Sequence, residues 1–403
     1  MRAHRRAIGP LRIPGWVALA ALAGILAAAC ASPTMMKAPS AQLALSVNDN
    51  KVVLVNGVVT VVANPAPDTV TIIDLAGSPP KVVAEIPAPA SVVGPPFSVA
   101  ITPDQNLALV TSAMKIDPND RTKQIPDNRL AVVDLRTSPP AVIATLETGL
   151  SPAGLSVNRQ GTLALVANRS EGTVSVFGIS GKAVTPMGKI TLGDAKSGVS
   201  HVAFTPDGKT ALATRDGDDR ISILSVDGTK VEYTKRDMNA GLRPYGLDIS
   251  SRGDIAVVAN IGRGGGDNDT MSVIDLRAKP SRVVDTITVG QTPEGIKLSP
   301  DGTLCAVVIM NGSNKAKESP FYNDNGKLLL FRVEGTKLTK VGEGRIGHWS
   351  QGVAVSADNR TILVGNMVEK DLWVFSWDGS TLKDTGQRIK VAGGSAAVRV
   401  ADK

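Results

Sequence analysis

The chain has 403 residues, 42% of them hydrophobic and 3% aromatic, with a formal charge of +7. That length can bury a large core without covalent staples, and two cysteines, Cys30 and Cys305, exclude a disulfide framework. Arg2, Arg5, Arg6 and Arg12 account for four of the positive charges, so beyond them +7 falls to +3, too little for the clustered basic footprint of a nucleic-acid binder.

The first element in chain order is a targeting segment over residues 1–30. Its arginines stand without an acidic residue, an apolar run follows from Trp16 to Ala29, and small residues flank Cys30. This is the pattern of a secretory signal peptide. The run is shorter than the roughly 20 residues a spanning helix needs. Ala27-Ala28-Ala29-Cys30 resembles a bacterial lipobox, although Leu26 stands one place earlier than the motif's leucine. The resemblance implies lipidation at Cys30 and membrane contact only through that anchor; ordinary cleavage after Ala29 or Ala31 is the alternative. The protein is therefore expected in the periplasm or lipid-anchored to a membrane. Residues 31–50 read as a linker and 51–403 as the folded domain.

Within that domain one unit recurs about every 40–55 residues, a repeat period of propeller blades. Each unit begins with a short strand and a tight turn: Thr102-Pro103-Asp104-Gln105, Thr205-Pro206-Asp207-Gly208, Ser299-Pro300-Asp301-Gly302, with looser copies at 158–161, 250–253 and 356–359. Proline presets φ for such turns and Gly or Asn accepts positive φ. The next strand is nearly all apolar, as in Leu163–Asn168 and Ile255–Asn260, which points to burial on both faces. A third, alternating strand begins near Thr69, Arg129, Thr173, Arg220, Thr270, Lys327 and Asp371, and a looser fourth follows. Seven innermost strands open at Phe97, Ala153, His201, Tyr245, Glu294, Gln351 and Ala396, each after Pro or Ser. The expected fold is all-β, a seven-bladed propeller of four-stranded antiparallel blades. The segment from Ala396 is expected to complete the first blade and close the ring between the two ends of the chain. Lys51–Val55, before the hairpin signal Asn56-Gly57, is the competing inner strand. Cys305, inside Leu304–Val308, reads as a small buried hydrophobe.

The strand endings Val61-Val62-Ala63-Asn64, Leu109-Val110-Thr111-Ser112, Leu165-Val166-Ala167-Asn168, Val258-Ala259-Asn260 and Leu363-Val364-Gly365-Asn366, with the Ser-Pro-Asp-Gly turns, resemble the YVTN-repeat (YncE-like) propellers of exported bacterial proteins. Here Leu or Val stands where that motif has Tyr. The resemblance implies a fold more than an activity, since propellers host many functions. Some YncE-like proteins are associated with single-stranded DNA, but stacking platforms need aromatic residues. Trp349, Trp373 and Trp377 all fall in the last blade, the latter two expected between blades.

The longest connections, 113–128, 261–269 and 311–326, share one face with the openings of the inner strands, and elaborated loops on a rigid scaffold are where function usually sits. Phe97, His201, Tyr245, Glu294 and Gln351 are expected to ring the channel mouth there, with Arg243, His348 and Trp349 reaching in from the rim. A small polar ligand or a periplasmic protein is the expected partner of a monomeric binding scaffold, with no cofactor and no metal: two histidines from different blades and one glutamate make no zinc set. The alternative is enzymatic. Ser200-His201-Val202-Ala203-Phe204-Thr205-Pro206-Asp207-Gly208 is similar to the Gly-Pro-Arg-His…Phe-x-Pro-Asp-Gly motif of lactonase-type propellers, in which a glutamate after the next strand completes an acid–base set. Val199-Ser200 replaces Pro-Arg, and Arg215-Asp216 stands where Asn-Glu would be. That resemblance implies a lactonase-like hydrolase or isomerase using His201, and is ranked second because a general base also needs a partner within reach.

Overall fold

The computed structural model describes residues 42–402, so the expected targeting segment and Cys30 lie outside the described residues. Among the described residues every regular element is a strand. Seven four-stranded antiparallel sheets form the blades of a propeller, and a separate two-stranded ribbon makes an eighth sheet. The inner strands of blades 2 to 7 are Val99–Ile101, Pro152–Val157, Val199–Phe204, Pro244–Ile249, Pro293–Leu298 and Ser350–Val355, and that of blade 1 is Gly394–Val400. Among the second strands, Leu163–Asn168, Ile255–Asn260 and Leu304–Ile309 are buried along their whole length, because a neighbouring blade covers each face. Leu107, Leu109, Leu155, Ala164 and Phe177, for example, form one cluster between blades 2 and 3. Trp377 packs with Val308 and Leu330 between blades 6 and 7, and Trp373 rests against that cluster. Cys305 is fully buried.

The ring closes as expected from the last inner strand. Gly394–Val400 pairs with Leu43–Asp49, which pairs with Thr69–Asp74, and Lys81–Pro87 completes blade 1. Two expectations change here. Leu43–Asp49, expected in the linker, is the second strand of blade 1, so the propeller begins before residue 51. Val52–Val55 and Val58–Val61 pair only with each other, as a ribbon inserted within that blade. The true repeat ending of blade 1 is therefore Leu45-Ser46-Val47-Asn48, not Val61–Asn64. The connection 113–128 is also shorter than expected, because Leu107–Ile116 and Gln124–Asp134 extend as a hairpin into it.

The recurring terminal asparagine has a physical reason. Asn48 Nδ2 donates to Thr69 and Thr71 Oγ1, Asn168 Nδ2 to Thr173 and Ser175, and Asn260 Nδ2 to Thr270 and Ser272. A buried amide thus ties the end of the second strand to the start of the third in these three blades. Asn366 goes further: its Oδ1 accepts from Gly347 N and Ser350 Oγ, and its Nδ2 donates to Asp371. Asn366→Ala would strand three buried partners, so a loss of about 1–3 kcal/mol is expected, read as a lower urea midpoint at unchanged slope.

Candidate functional site

The inner strands share a device at their first residues. In four blades a Pro or Ser, a variable residue and a Gly follow one another: Pro152-Ala153-Gly154, Pro244-Tyr245-Gly246, Pro293-Glu294-Gly295 and Ser350-Gln351-Gly352. The ladder to the second strand shifts register across each of these triplets, and such bulges re-aim side chains. The glycines leave room for the next blade. A Cβ on Gly295 would lie 2.3 Å from the Gln351 carbonyl oxygen, and one on Gly352 2.1 Å from Val398 N. The residue before each triplet takes a positive φ, as at Arg243 (57°) and Trp349 (51°). This left-handed corner is costly for a large side chain. At Arg243 it is held by the backbone N–H donating to Asp219 Oδ1 at 2.8 Å.

The ring residues do not all reach the mouth. Phe97 is 2% exposed, and its ring spans the channel: it stacks on His201 at 4.1 Å, faces the Arg399 guanidinium at 4.7 Å, and fills the space a Cβ on Gly246 would need. It fills the channel at this depth and is closed off from solvent. His201, expected at the rim, is 1% exposed. Its Nδ1 accepts from Leu247 N at 3.3 Å, which leaves the ring proton on Nε2. Burial, helped by the Arg399 charge, holds its pKa well below the ordinary value, so His201 is a neutral wall residue.

The loop-rich mouth is built instead by the residue after each second strand. Over blades 6 and 7 these are Met310 and Met367, which pack with Trp349, Ala396 and Val52 of the ribbon. The ribbon tip is fastened by Asn56 Nδ2 donating to Glu318 and Asn56 Oδ1 accepting from Lys317 N. This covers the apolar half of the rim, and Trp349 belongs to that cover. In blades 3 and 4 the equivalent residues are Arg169 and Asp216, and they meet. Arg169 Nη1 lies 2.9 Å from Asp216 Oδ1, Arg243 Nη2 lies 2.9 Å from Asp216 Oδ2, and Arg169 also donates to Ser200 Oγ. Arg169 stands over the Tyr245 ring at 5.3 Å. The guanidinium of Arg169 thus comes to Ser200, where the lactonase motif has its own arginine.

The electrostatics divide the two carboxyls. Burial opposes ionisation of Asp216, but the Arg169 charge and hydrogen bonds from Ser200, Arg243 and Arg169 outweigh it and hold its pKa below the ordinary value. Glu294 receives no such bonds. Burial pushes its carboxyl up to about 8 against the pull of Arg169 and Arg243, and Oε2 has no partner. Tyr245 is kept protonated, chiefly by burial. The result is one charged carboxylate clamped between two guanidiniums and one protonatable carboxyl nearby, a separation of acid–base roles. The side chains of Arg169 and Arg243 are 19% and 37% exposed and form the open part of the site.

The remaining candidates lie elsewhere. Gln351 is 1% exposed with Oε1 unpartnered. His348 bridges Glu369 (Nδ1, 2.6 Å) and Asp324 (Nε2, 3.2 Å) over blades 6 and 7, and does not join the arginine cluster. No group of three His, Cys, Asp or Glu side chains among the described residues is arranged to hold a metal. Arg169 was missed from sequence. Its only signal is its place directly after Ala167-Asn168, the position Asp216 holds in the next blade.

Residues 126–241 match the family model described as Lactonase, 7-bladed beta-propeller. No curated protein matches the chain. Among solved structures, it is similar to a periplasmic gluconolactonase of Pseudomonas aeruginosa (18% identity, 89% of this chain and 99% of that one, TM-score 0.64). It is also similar to a candidate 6-phosphogluconolactonase of Bacteroides fragilis (17%, 90% and 99%, TM-score 0.67) and to the hydrazine synthase of Kuenenia stuttgartiensis (18%, 77% and 91%, TM-score 0.60). At such identities the likeness is one of fold. The chain is a seven-bladed β-propeller, and its residues 126–241 resemble the lactonase family of that fold.

Proposed function

We propose that the protein opens hydroxylated lactones by hydrolysis at the uncovered half of the loop-rich mouth. The observation that carries this reading is Glu294, a buried carboxyl with a free oxygen and a pKa near 8, beside the Arg169–Asp216–Arg243 cluster. A group that titrates close to the working pH serves best in proton transfer. In its ionised form Glu294 takes a proton from the attacking water as the oxygen bonds to the lactone carbonyl carbon. The guanidiniums of Arg243 and Arg169 stabilise the oxyanion that forms. When the tetrahedral intermediate collapses, the ring C–O bond breaks and the protonated Glu294 returns its proton to the leaving alkoxide. Asp216 is a positioning residue, since its oxygens are taken up in holding both arginines. His201 has no part in this scheme, because its ring is walled in.

The family match and the gluconolactonase-type neighbours support a lactonase over a passive binding scaffold. Acid release from glucono-δ-lactone in a pH-stat tests the reading. A rate well above the spontaneous one is expected, with Arg243→Met lowering kcat/KM by about tenfold or more, as loss of a charged hydrogen bond to the developing oxyanion does. Spontaneous rates across a panel of free and phosphorylated aldonolactones would overturn it.

A further inference from the structure

The opposite end of the channel holds a second charged constellation, below Phe97 and on the face of the tight turns. Lys297 and Arg399 project from the inner strands of blades 6 and 1, with side chains only 6% and 3% exposed. Both grip one carboxylate, that of Asp402, just beyond the last inner strand. Lys297 Nζ donates to its Oδ1 at 2.7 Å, and Arg399 Nη2 to its Oδ2 at 2.6 Å. Lys297 also contacts Asp248, whose Oδ2 accepts from Leu298 N at 2.8 Å. Arg399 is only partly used: Nε and Nη1 have no acceptor although the side chain is buried. A buried guanidinium with two unmatched donors is costly unless an acceptor comes to it.

A cavity of about 60 Å³ opens at this point, lined by Lys297, Asp248, Asp402, Ser299, Ser251 and Thr205. It exceeds the space one water needs. Asp402 is the most exposed member, at 36%, and lies outside any strand. Its carboxylate therefore sits as an oxyanion would sit, bridging a lysine and an arginine, just beyond the last strand.

We infer that the Lys297–Arg399 pair is a small-oxyanion site which the protein's own Asp402 occupies, and which a free phosphate or carboxylate takes when Asp402 withdraws. The free donors of Arg399 supply the further hydrogen bonds that a multi-oxygen anion accepts and a single side chain does not satisfy. Planar guanidinium forks suit such ligands. Removing Asp402 leaves two cations facing one carboxylate, Asp248, so the vacated site favours an anion.

The test is titration calorimetry of inorganic phosphate, and in parallel acetate, into the full chain. Asp402→Ala should bind at least one of them ten times or more tightly than the unaltered protein. In that background, Arg399→Met and Lys297→Met should each abolish the gain. Melting temperatures report whether the variants fold, and the anion should raise the melting temperature of Asp402→Ala more than that of the unaltered protein. Equal affinities with and without Asp402, or a gain that survives both cation replacements, would overturn the inference. Since this site lies on the other face from Arg243, lactone opening by Asp402→Ala should be unaltered, so the two readings fail separately.

Discussion

Glu294→Gln is expected to slow lactone opening by about 10²–10⁴-fold, the usual contribution of a positioned acid–base group, while leaving the fold intact. Gln keeps the shape and cannot take the proton. In the unaltered protein kcat/KM should rise with pH and level off above about 8, where burial has pushed the Glu294 carboxyl. The same group makes a separate stability prediction. Its folded-state value lies above its ordinary value of 4.5, so between those pH values the folded protein keeps a proton that the unfolded chain has released. The stability this contributes is complete below 4.5 and is lost as pH rises through about 8. Glu294→Gln should therefore flatten the fall of melting temperature over that window. A variant with full activity, or with an unchanged rate profile, would remove Glu294 from the chemistry. A melting profile that still falls as in the unaltered protein would place the titrating group elsewhere.

Removing residues 394–402 is expected to abolish cooperative unfolding. The deleted strand carries Ala396, Ala397, Val398 and Val400, all at most 2% exposed, and burying each valine contributes roughly 1.5–3 kcal/mol. Those two side chains alone approach the roughly 5–15 kcal/mol that holds a typical domain. Deletion also bares the edge of Leu43–Asp49, which invites association between chains. Calorimetry and light scattering check both effects. A truncated protein that melts cooperatively at the original temperature would show that the ring does not depend on this strand. Val398→Asp offers a milder version with the same sign.

The blades were legible in sequence because their signals are local. Pro-Asp-Gly turns depend on the φ that each residue allows, and second strands must be apolar on both sides wherever blades stack. Closure by the last strand could also be read, since a strand with no blade of its own must pair somewhere. The ribbon was harder. Val61–Asn64 imitates the repeat ending, while the true copy, Asn48, is recognised only by the hydroxyls of Thr69 and Thr71 that it reaches. Short apolar runs carry no mark of their partner.

The candidate site was legible in part. Glu294, Tyr245 and Arg243 stand out because the start of an inner strand can be counted along the chain. Arg169 does not, because it acts across a blade boundary on Ser200 and Asp216, 31 and 47 residues away. The burial of His201 is hidden for the same reason: sequence shows that a ring nitrogen stands at the channel, not that Phe97 stacks on it. Sequence by itself determined the repeat, the number of blades and the face that carries the loops, all consequences of short-range backbone and hydrophobic preferences. Tertiary structure alone decided which polar groups share a pocket, which are sealed off and which carboxyl keeps its proton, because burial and Coulomb energy depend on neighbours that the chain brings together only when the ring closes.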